Sequence, residues 1–444
     1  MTAPPSAGAP LRILHLGFEH PRMPGAGGGS RRTHEIDRRL VAAGHEVTVL
    51  TTRFPGAEDA VLDGVRYVPV GLGTGGNRLS RLAGYVLGLP AAVRRHRRNA
   101  HLVVEDFFAP FSTMAAPLWT GRPTVGVVQW LHARDKARQY KLPLHLVERA
   151  GTRRHHRLIA VSEGTAERLR AMNPAARVDV VGNGVDPALL DAPARVGRDV
   201  VFLGRLELEG KGLDLLLRAW RQVRPEIGGE LLVAGGGPEK GRVRRFAQDL
   251  GAEGVRFLGW CDGPDKVDLL AGARLVVVPS RHETFGMVAV EALAAGTPVV
   301  AFDIPCLREV VPPGAGWTVP PFDVDALAAV LVRAATDEEG LAAAGARGRE
   351  FARAYDWDAL AAAQLAVYQE VAGRLPDVSG RVAAPRPGVA PRPEVGTAPA
   401  PRGPAPSPGA AEDARLVLPR NGEGEPRCEH YEDTSPQRPE PPSR

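Results

Sequence analysis

Short apolar runs alternate along this chain with segments whose apolar residues recur at helical spacing, and the alternation starts afresh near residue 200. RILHLG (12–17) is the first such run, and a Gly/Pro-rich loop over residues 18–29 follows it. Across 30–43, Ile36, Leu40 and Val41 fall on one face of a helix that Gly44 ends. EVTVLTT (46–52) then reads as a buried strand, so the order strand, helix, strand makes a βαβ unit with a parallel sheet. Further strands are predicted at 65–70, 102–105, 124–129, 158–161 and 178–181. Residues 183–198, rich in Pro, Gly and Asp, read as a linker. Strands at 200–203, 230–234, 255–258, 275–279 and 298–301 then alternate with helices at 213–223, 242–250, 264–271, 288–295 and 325–335. The fold class is therefore α/β, with two doubly wound domains. A last helical segment covers 357–372.

Composition changes this picture at the ends of the chain. From residue 376 onward Pro, Arg, Gly, Glu and Ser dominate, leaving too little apolar surface to offset ordering entropy, so a disordered tail is expected. The resulting division is a flexible 1–10, a first domain at 11–190, a second at 191–355, a helix at 356–375 packing back towards the first, and the tail at 376–444. Three cysteines, Cys261, Cys306 and Cys428, form neither a disulfide framework nor a CxxC pattern, which points to a reducing, cytoplasmic compartment. The N-terminus has no secretory pattern, and no run of about 18 apolar residues suggests a transmembrane helix.

The net charge of +5 is uneven: residues 1–196 hold 27 Lys+Arg against 16 Asp+Glu, or +11, which leaves −6 for the remainder. A basic first half suits an acidic partner such as a phosphate-bearing substrate or an anionic membrane, although solvated arginines are common without one.

Three clusters carry candidate chemistry. In PSRHETFGMVAVEALAAGTPVVAF (279–302) an apolar strand ends in a loop that presents Glu283 beside a helix N-terminus near Gly286, whose free N–H groups suit a phosphate oxygen. Glu291 follows about one and a half turns into that helix, among Ala289, Val290, Ala292 and Leu293. In GRLELEGKGLDLLLRAW (204–220), Arg205 stands at a strand tip and Lys211 in a Gly-flanked turn, two cations fit to neutralise a pyrophosphate. GAGGGSRRTHEI (25–36) is a glycine-rich loop before a helix, and GGGP (235–238) is a similar strand-end turn. DVD (323–325) directly precedes a helix, where Asp commonly caps, so it is not read as a metal site.

Taken in order, GRL…KGLDLLL, GGGP and the Glu-x7-Glu of HETFGMVAVEALAAGTPVVA resemble the family 4 retaining GT-B glycosyltransferases, or glycosyl transferases group 1. VSEGT (161–165) and NGVD (183–186) resemble the same family's exit from the first domain, and the likeness spans roughly residues 11–372. It implies two Rossmann-like domains facing each other across a cleft, with a nucleotide-sugar donor on the second and the acceptor on the first. Arg205 and Lys211 would bind the donor diphosphate, and Glu283 would contact the transferred sugar. Backbone amides at Phe285, Gly286 and Met287 would lie near sugar and phosphate, and Glu291 would take the ribose hydroxyls. Gly28 and Gly29, with Gly27, would sit opposite, close to the phosphates and the acceptor. Family members need no metal or other cofactor, and the departing phosphate helps deprotonate the acceptor on the same face, giving retention.

Two departures stand out. Where many relatives carry a histidine at the end of the strand at 124–129, this chain has Gln129, and His132 lies three residues later. Either His132 swings into the cleft as a catalytic group or Gln129 takes over by hydrogen bonding. The spacing from Arg205 to Lys211 is also one residue longer than the commonest form, a cheap insertion. Basic clusters at 94–98 (RRHRR) and 151–157 (GTRRHHR) suit peripheral contact with the inner membrane face or simply a solvated surface; nucleic acid is not expected, because no aromatic stacking pattern accompanies the arginines. The acceptor, whether polysaccharide, lipid-linked or small molecule, is not readable. An NAD(P)-binding oxidoreductase, a sugar-nucleotide epimerase or a silent binding protein on a related fold are the alternatives. The oxidoreductase calls for GxGxxG with an acidic residue about 20 positions on, a spacing not cleanly met.

Overall fold

The computed structural model describes residues 10–23, 26–71, 78–108, 112–131, 143–193 and 195–373. The tail expected at 376–444 and His132 lie outside the described residues. Among the described residues, eight strands form the first sheet: β1 (Arg12–Leu16), β2 (Glu46–Thr52), β3 (Ala60–Leu62), β4 (Val65–Val70), β5 (Leu102–Asp106), β6 (Thr124–Val128), β7 (Arg157–Ala160) and β8 (Arg177–Val180). Their order is β3-β4-β2-β1-β5-β6-β7-β8, parallel throughout except for the antiparallel β3–β4 edge. Six parallel strands form the second sheet: β9 (Val200–Leu203), β10 (Leu231–Ala234), β11 (Val255–Gly259), β12 (Leu275–Val278), β13 (Val299–Phe302) and β14 (Gly316–Val319), in the order β11-β10-β9-β12-β13-β14. Both sheets contain the doubly wound order 3-2-1-4-5-6, so each has a switch point, at β1/β5 and at β9/β12, where ligands bind outside the carboxyl ends of the strands.

The pleat of the first sheet sorts its side chains. Ile13, Val49, Val104 and Val125 face Ile36 and Leu40 of the helix Gly28–Ala42, whereas Leu14, Leu16, Leu50 and Val103 face Tyr85, Leu89 and Val93 of the helix Arg78–His96. His15 therefore points to the same side as Ile13. The second sheet and its helices share one large core. Among the described residues no helix is long and apolar enough to cross a membrane.

After β14 and two further helices, Val324–Thr336 and Glu338–Ala352, the chain crosses back, and the helix Trp357–Val371 packs against Gly28–Ala42. Trp357 and Tyr368 are buried in the first domain's core. Arg157 of β7 makes paired hydrogen bonds to Glu370 (3.0 and 2.9 Å) and an ion pair with Asp179 (2.6 Å). The NGVD segment explains itself in this setting. Val185 N–H donates to Tyr355 O (2.9 Å), and the Asp186 carboxylate caps the short helix Pro187–Asp191 inside the expected linker. Gly184 lies under the Trp357 indole so closely that a Cβ would stand 2.4 Å from it.

Gly184→Ala is expected to cost about 1–3 kcal/mol through overpacking against Trp357. Equilibrium urea unfolding checks this, and a stability within error of the wild type would rule it out.

Candidate active site in the interdomain cleft

The second domain's part of the site is built where β9 and β12 end. Gly212, in the left-handed region at φ +68°, sits so tightly on Pro279 at the end of β12 that a Cβ there would lie 1.8 Å from the Pro279 carbonyl oxygen. That contact brings the Lys211 turn onto the loop after β12, and Lys211 Nζ donates to Glu283 Oε1 at 2.5 Å. Ser280 Oγ donates to the same oxygen at 2.9 Å. Arg281 fastens the two loops from outside: its guanidinium makes a two-pronged bond to Asp214 (2.7 and 2.8 Å) and donates to Glu209 O (2.7 Å), and these bonds to Asp214 raise its pKa. Ser280, Arg281 and Asp214 were not singled out from the sequence: the Arg281–Asp214 role follows from a contact across 67 residues, and Ser280, only three positions from Glu283, carries no local signal for its bond.

The loop is also held from below and from the first domain. Cys306 Sγ–H donates to Glu283 O at 3.1 Å, and burial pushes this thiol up to about 12, so it stays a protonated donor. Ser162 Oγ–H, from the first domain, donates to Thr284 O at 3.0 Å. The Glu309 carboxylate in turn accepts the N–H groups of Glu163 (2.9 Å) and Gly164 (2.7 Å), at the N-terminus of the first-domain helix Glu163–Met172. Phe285 is buried with its ring edge-on to Tyr355, so only its backbone can serve a ligand. Gly286, at φ +91°, caps the helix Met287–Ala294.

Glu291 lies inside that helix, and Lys266 Nζ donates to its Oε1 at 2.9 Å, both side chains being only 8% exposed. Lys266, missed in the sequence, sits on a neighbouring helix 25 positions earlier. Arg205, by contrast, is 61% exposed at the tip of β9 with Glu207 Oε1 at 3.3 Å. The GGGP turn supports its base, since Leu206 N–H donates to Gly236 O (2.8 Å). Asp323 of DVD accepts from Ala326 N–H (2.9 Å), which is the capping role.

On the first domain, Gly28 and Gly29 open a helix whose preceding N–H, at Gly27, donates to Glu19 Oε2 at 3.1 Å. Gln129 lies across from Gly29 and donates to Thr33 Oγ1 at 3.2 Å. Behind them is a buried charge cluster that sequence reading passed over. His15 Nδ1 lies 3.0 Å from Asp37 and Nε2 lies 3.1 Å from Asp106, which ends β5 at the switch point. Burial alone would lower the His15 pKa, but Asp106 and Asp37 outweigh it and hold the pKa at about 10. Burial likewise works against the Asp106 carboxylate, yet His15 and the bond from Thr33 keep its pKa below the ordinary value. Arg32, equally buried, donates to Val181 O (2.9 Å) and to Gln364 Oε1 (2.8 Å) on the last helix.

Two Rossmann-type halves joined by a crossing C-terminal helix, with a lysine–carboxylate pair at one switch point, define the GT-B architecture. Residues 197–337 match the family of glycosyl transferases group 1, and residues 26–189 match glycosyltransferase family 4. The phosphatidyl-myo-inositol mannosyltransferase of Mycolicibacterium smegmatis is 32% identical over 372 residues, 78% of this chain and 91% of that protein. Among solved structures, sucrose-phosphate synthase from Thermosynechococcus elongatus superposes with TM-score 0.68 at 24% identity, over 81% of this chain and 99% of the other. Anabaena HepE in complex with UDP-glucose does so with TM-score 0.64 at 20% identity, over 81% and 100%. The chain belongs to glycosyltransferase family 4 and is a glycosyltransferase; the oxidoreductase and epimerase readings are not favoured.

Lys266→Met is expected to lower stability by about 3 kcal/mol, because it strands the buried Glu291 carboxylate. In Lys266→Met/Glu291→Leu much of that loss should return. A single mutant as stable as the wild type would remove the pair from the core of the site.

Proposed function

We propose that this enzyme transfers a hexose, with retention of anomeric configuration and without a metal, from a UDP- or GDP-linked sugar to an acceptor hydroxyl. The observation that carries this reading is the Lys211–Glu283 pair held at the β9/β12 switch point beside the N-terminus of the helix Met287–Ala294. Lys211 and the exposed Arg205 place positive charge where a diphosphate would leave, the task that a divalent cation performs elsewhere. Glu283, anchored by Ser280 and Lys211, meets the sugar hydroxyls, and the Gly286 and Met287 amides meet phosphate oxygens. Glu291 keeps a carboxylate oxygen beyond its bond to Lys266, which suits the paired hydroxyls of a ribose. The acceptor approaches from the first domain, and the departing phosphate takes its proton on the same face. HepE, whose structure holds UDP-glucose, and the mannosyltransferase relative support a nucleotide-sugar donor.

A thermal-shift screen against UDP, GDP, ADP, CMP and NAD tests the donor site. One nucleoside diphosphate at about 100 times its dissociation constant should add roughly 2.7 kcal/mol, a shift of a few degrees that Glu291→Ala abolishes. Transfer should persist in EDTA, and NMR of the product should show the donor's anomeric configuration. Stabilisation by NAD alone would overturn the reading.

The acceptor side is proposed to rest on an anionic membrane. Of the two basic clusters, 151–157 is partly internal: His155 pairs with Glu105 (2.8 Å) and Arg157 with Asp179 and Glu370. The helix Arg78–His96 instead shows an outward stripe of Ala83, Leu87, Pro90, Ala91, Arg94 and Arg95, with Leu87 77% exposed and Arg98 just beyond. Leu118, also exposed, lies on the segment that Arg97 and Arg122 tie to the end of this helix. Each arginine near an anionic surface contributes about 1 kcal/mol. The full chain should float with vesicles containing phosphatidylglycerol, and Arg94→Glu/Arg95→Glu/Arg98→Glu should stay behind. A wild-type protein that does not float would end this part of the reading.

A further inference from the structure

The glycine-rich start of the helix Gly28–Ala42 invites an anion, but two observations argue for a different occupant. Its Gly27 N–H is already taken by the Glu19 carboxylate at 3.1 Å, so that end of the helix carries a fixed negative charge of its own. The second observation is the direction of a hydrogen-bonded chain running from the buried core to the cleft.

Both nitrogens of His15 face carboxylates, Asp37 at 3.0 Å and Asp106 at 3.1 Å. Ionised carboxylates only accept, so both nitrogens carry protons and the ring is a cation. The other oxygen of Asp106 receives the Thr33 hydroxyl proton at 2.8 Å. That proton is the only one the hydroxyl has, so towards Gln129 the Thr33 oxygen must accept. Only one orientation of the Gln129 amide satisfies this, with Nε2–H donating to Thr33 at 3.2 Å. Its carbonyl oxygen is thereby turned towards Gly29, 3.4 Å from where a Cβ there would stand, on a half-buried side chain.

We infer that Gln129 Oε1 receives a hydrogen bond from a substrate hydroxyl, and that His15, Asp106 and Thr33 are positioning residues that fix which end of the amide faces the cleft. A carbonyl facing the first turn of this helix, at whose start the Glu19 carboxylate already holds the Gly27 N–H, requires a donor rather than a phosphate, so this subsite takes the polyol part of the substrates. The charged groups facing the chain are Asp37 and Arg32 from the helix Gly28–Ala42, with Tyr67 from β4 and Tyr368 from the last helix near the same carboxylates. The inference deepens the proposed transferase reading and rests on it. The hydroxyl belongs either to the transferred sugar or to the acceptor, and the experiment separates the two.

Calorimetry on the full chain compares UDP with UDP-glucose, and GDP with GDP-mannose, for the wild type, Gln129→Leu, Thr33→Val and Thr33→Ser. If the hydroxyl is on the sugar, the extra affinity of the sugar nucleotide over its diphosphate drops at least tenfold in Gln129→Leu and Thr33→Val. Thr33→Ser, which keeps the hydroxyl, restores it. If the hydroxyl is on the acceptor, that difference stays, and the tenfold loss falls on nucleotide release stimulated by glycerol, inositol and methyl glycosides. Asp106→Asn, which can donate to Thr33 and so reverse the chain, should behave like Gln129→Leu; should it not fold, the Thr33 pair decides. Gln129→Leu within twofold of the wild type in both assays overturns the inference, as does inorganic phosphate binding that Gln129→Leu removes. Failure of the transferase reading itself would show earlier, as a wild type that binds none of the four nucleotides.

Discussion

Four buried charges at the first switch point must sum to zero, and much of the first domain is arranged to let them. His15 and Arg32 balance Asp37 and Asp106, all four being almost inaccessible to water. A buried charge left without its partner costs several kcal/mol, a large share of the roughly 5–15 kcal/mol that holds a domain together. The four residues come from β1, the helix Gly28–Ala42 and the end of β5, so the cluster ties these elements together. Arg32 finds its last acceptor on Gln364, which belongs to the helix that crosses back after the second domain. Folding of the first domain is thus completed by residues more than 300 positions later.

That return crossing also constrains how the halves meet. Trp357 covers Gly184 in the linker, Glu370 neutralises Arg157, Ser162 ties the start of the first-domain helix Glu163–Met172 to the loop bearing Glu283, and Glu309 ties the same helix start to the second-domain helix Pro305–Val310. Glu309 sits in a partly buried position that raises its pKa, with Glu163 and Glu167 adding to the effect of burial. Its two backbone N–H partners oppose that shift. The loop bearing Glu283 is consequently supported by both domains, and its carboxylate stands on a frame rather than on a free loop.

How far this was legible in the sequence depended on the range of the interaction. Apolar runs located β2, β4 and β9 to the residue, and the helix Leu213–Val223 likewise, because burial of a short strand or helix face is a local pattern. Strand β14 (GWTV) was missed, as was β3, which has only three residues at a sheet edge. The helix Glu338–Ala352 was missed because glycines weaken its local signal. Gly345 is there because the helix presses so closely on the turn after Met287–Ala294 that a Cβ would fall 2.2 Å from Gly296 O. Among site residues, Lys211 and Glu283 were visible because strand ends and glycines mark their turns, and Glu291 because it stands among apolar positions of a buried helix. Lys266, Arg281 and the His15 cluster were not: a lone His in an apolar strand gives no hint that two carboxylates from elsewhere will flank it.

The two switch points follow one plan with one difference. Each places a carboxylate near a strand end against a cation, Asp106 on His15 and Glu283 on Lys211. The first pair is nearly sealed, His15 being 1% and Asp106 11% exposed, so in the inferred chain its charge serves orientation and reaches the surface through Thr33 and Gln129. The second pair is open, Lys211 being 27% and Glu283 16% exposed. In the proposed reaction an incoming diphosphate would draw Lys211 towards itself and release Glu283 to a sugar hydroxyl, with Ser280 still holding the carboxylate in place. On the proposed reading, the difference in burial therefore separates a cluster that orients a substrate from a pair that exchanges partners with one.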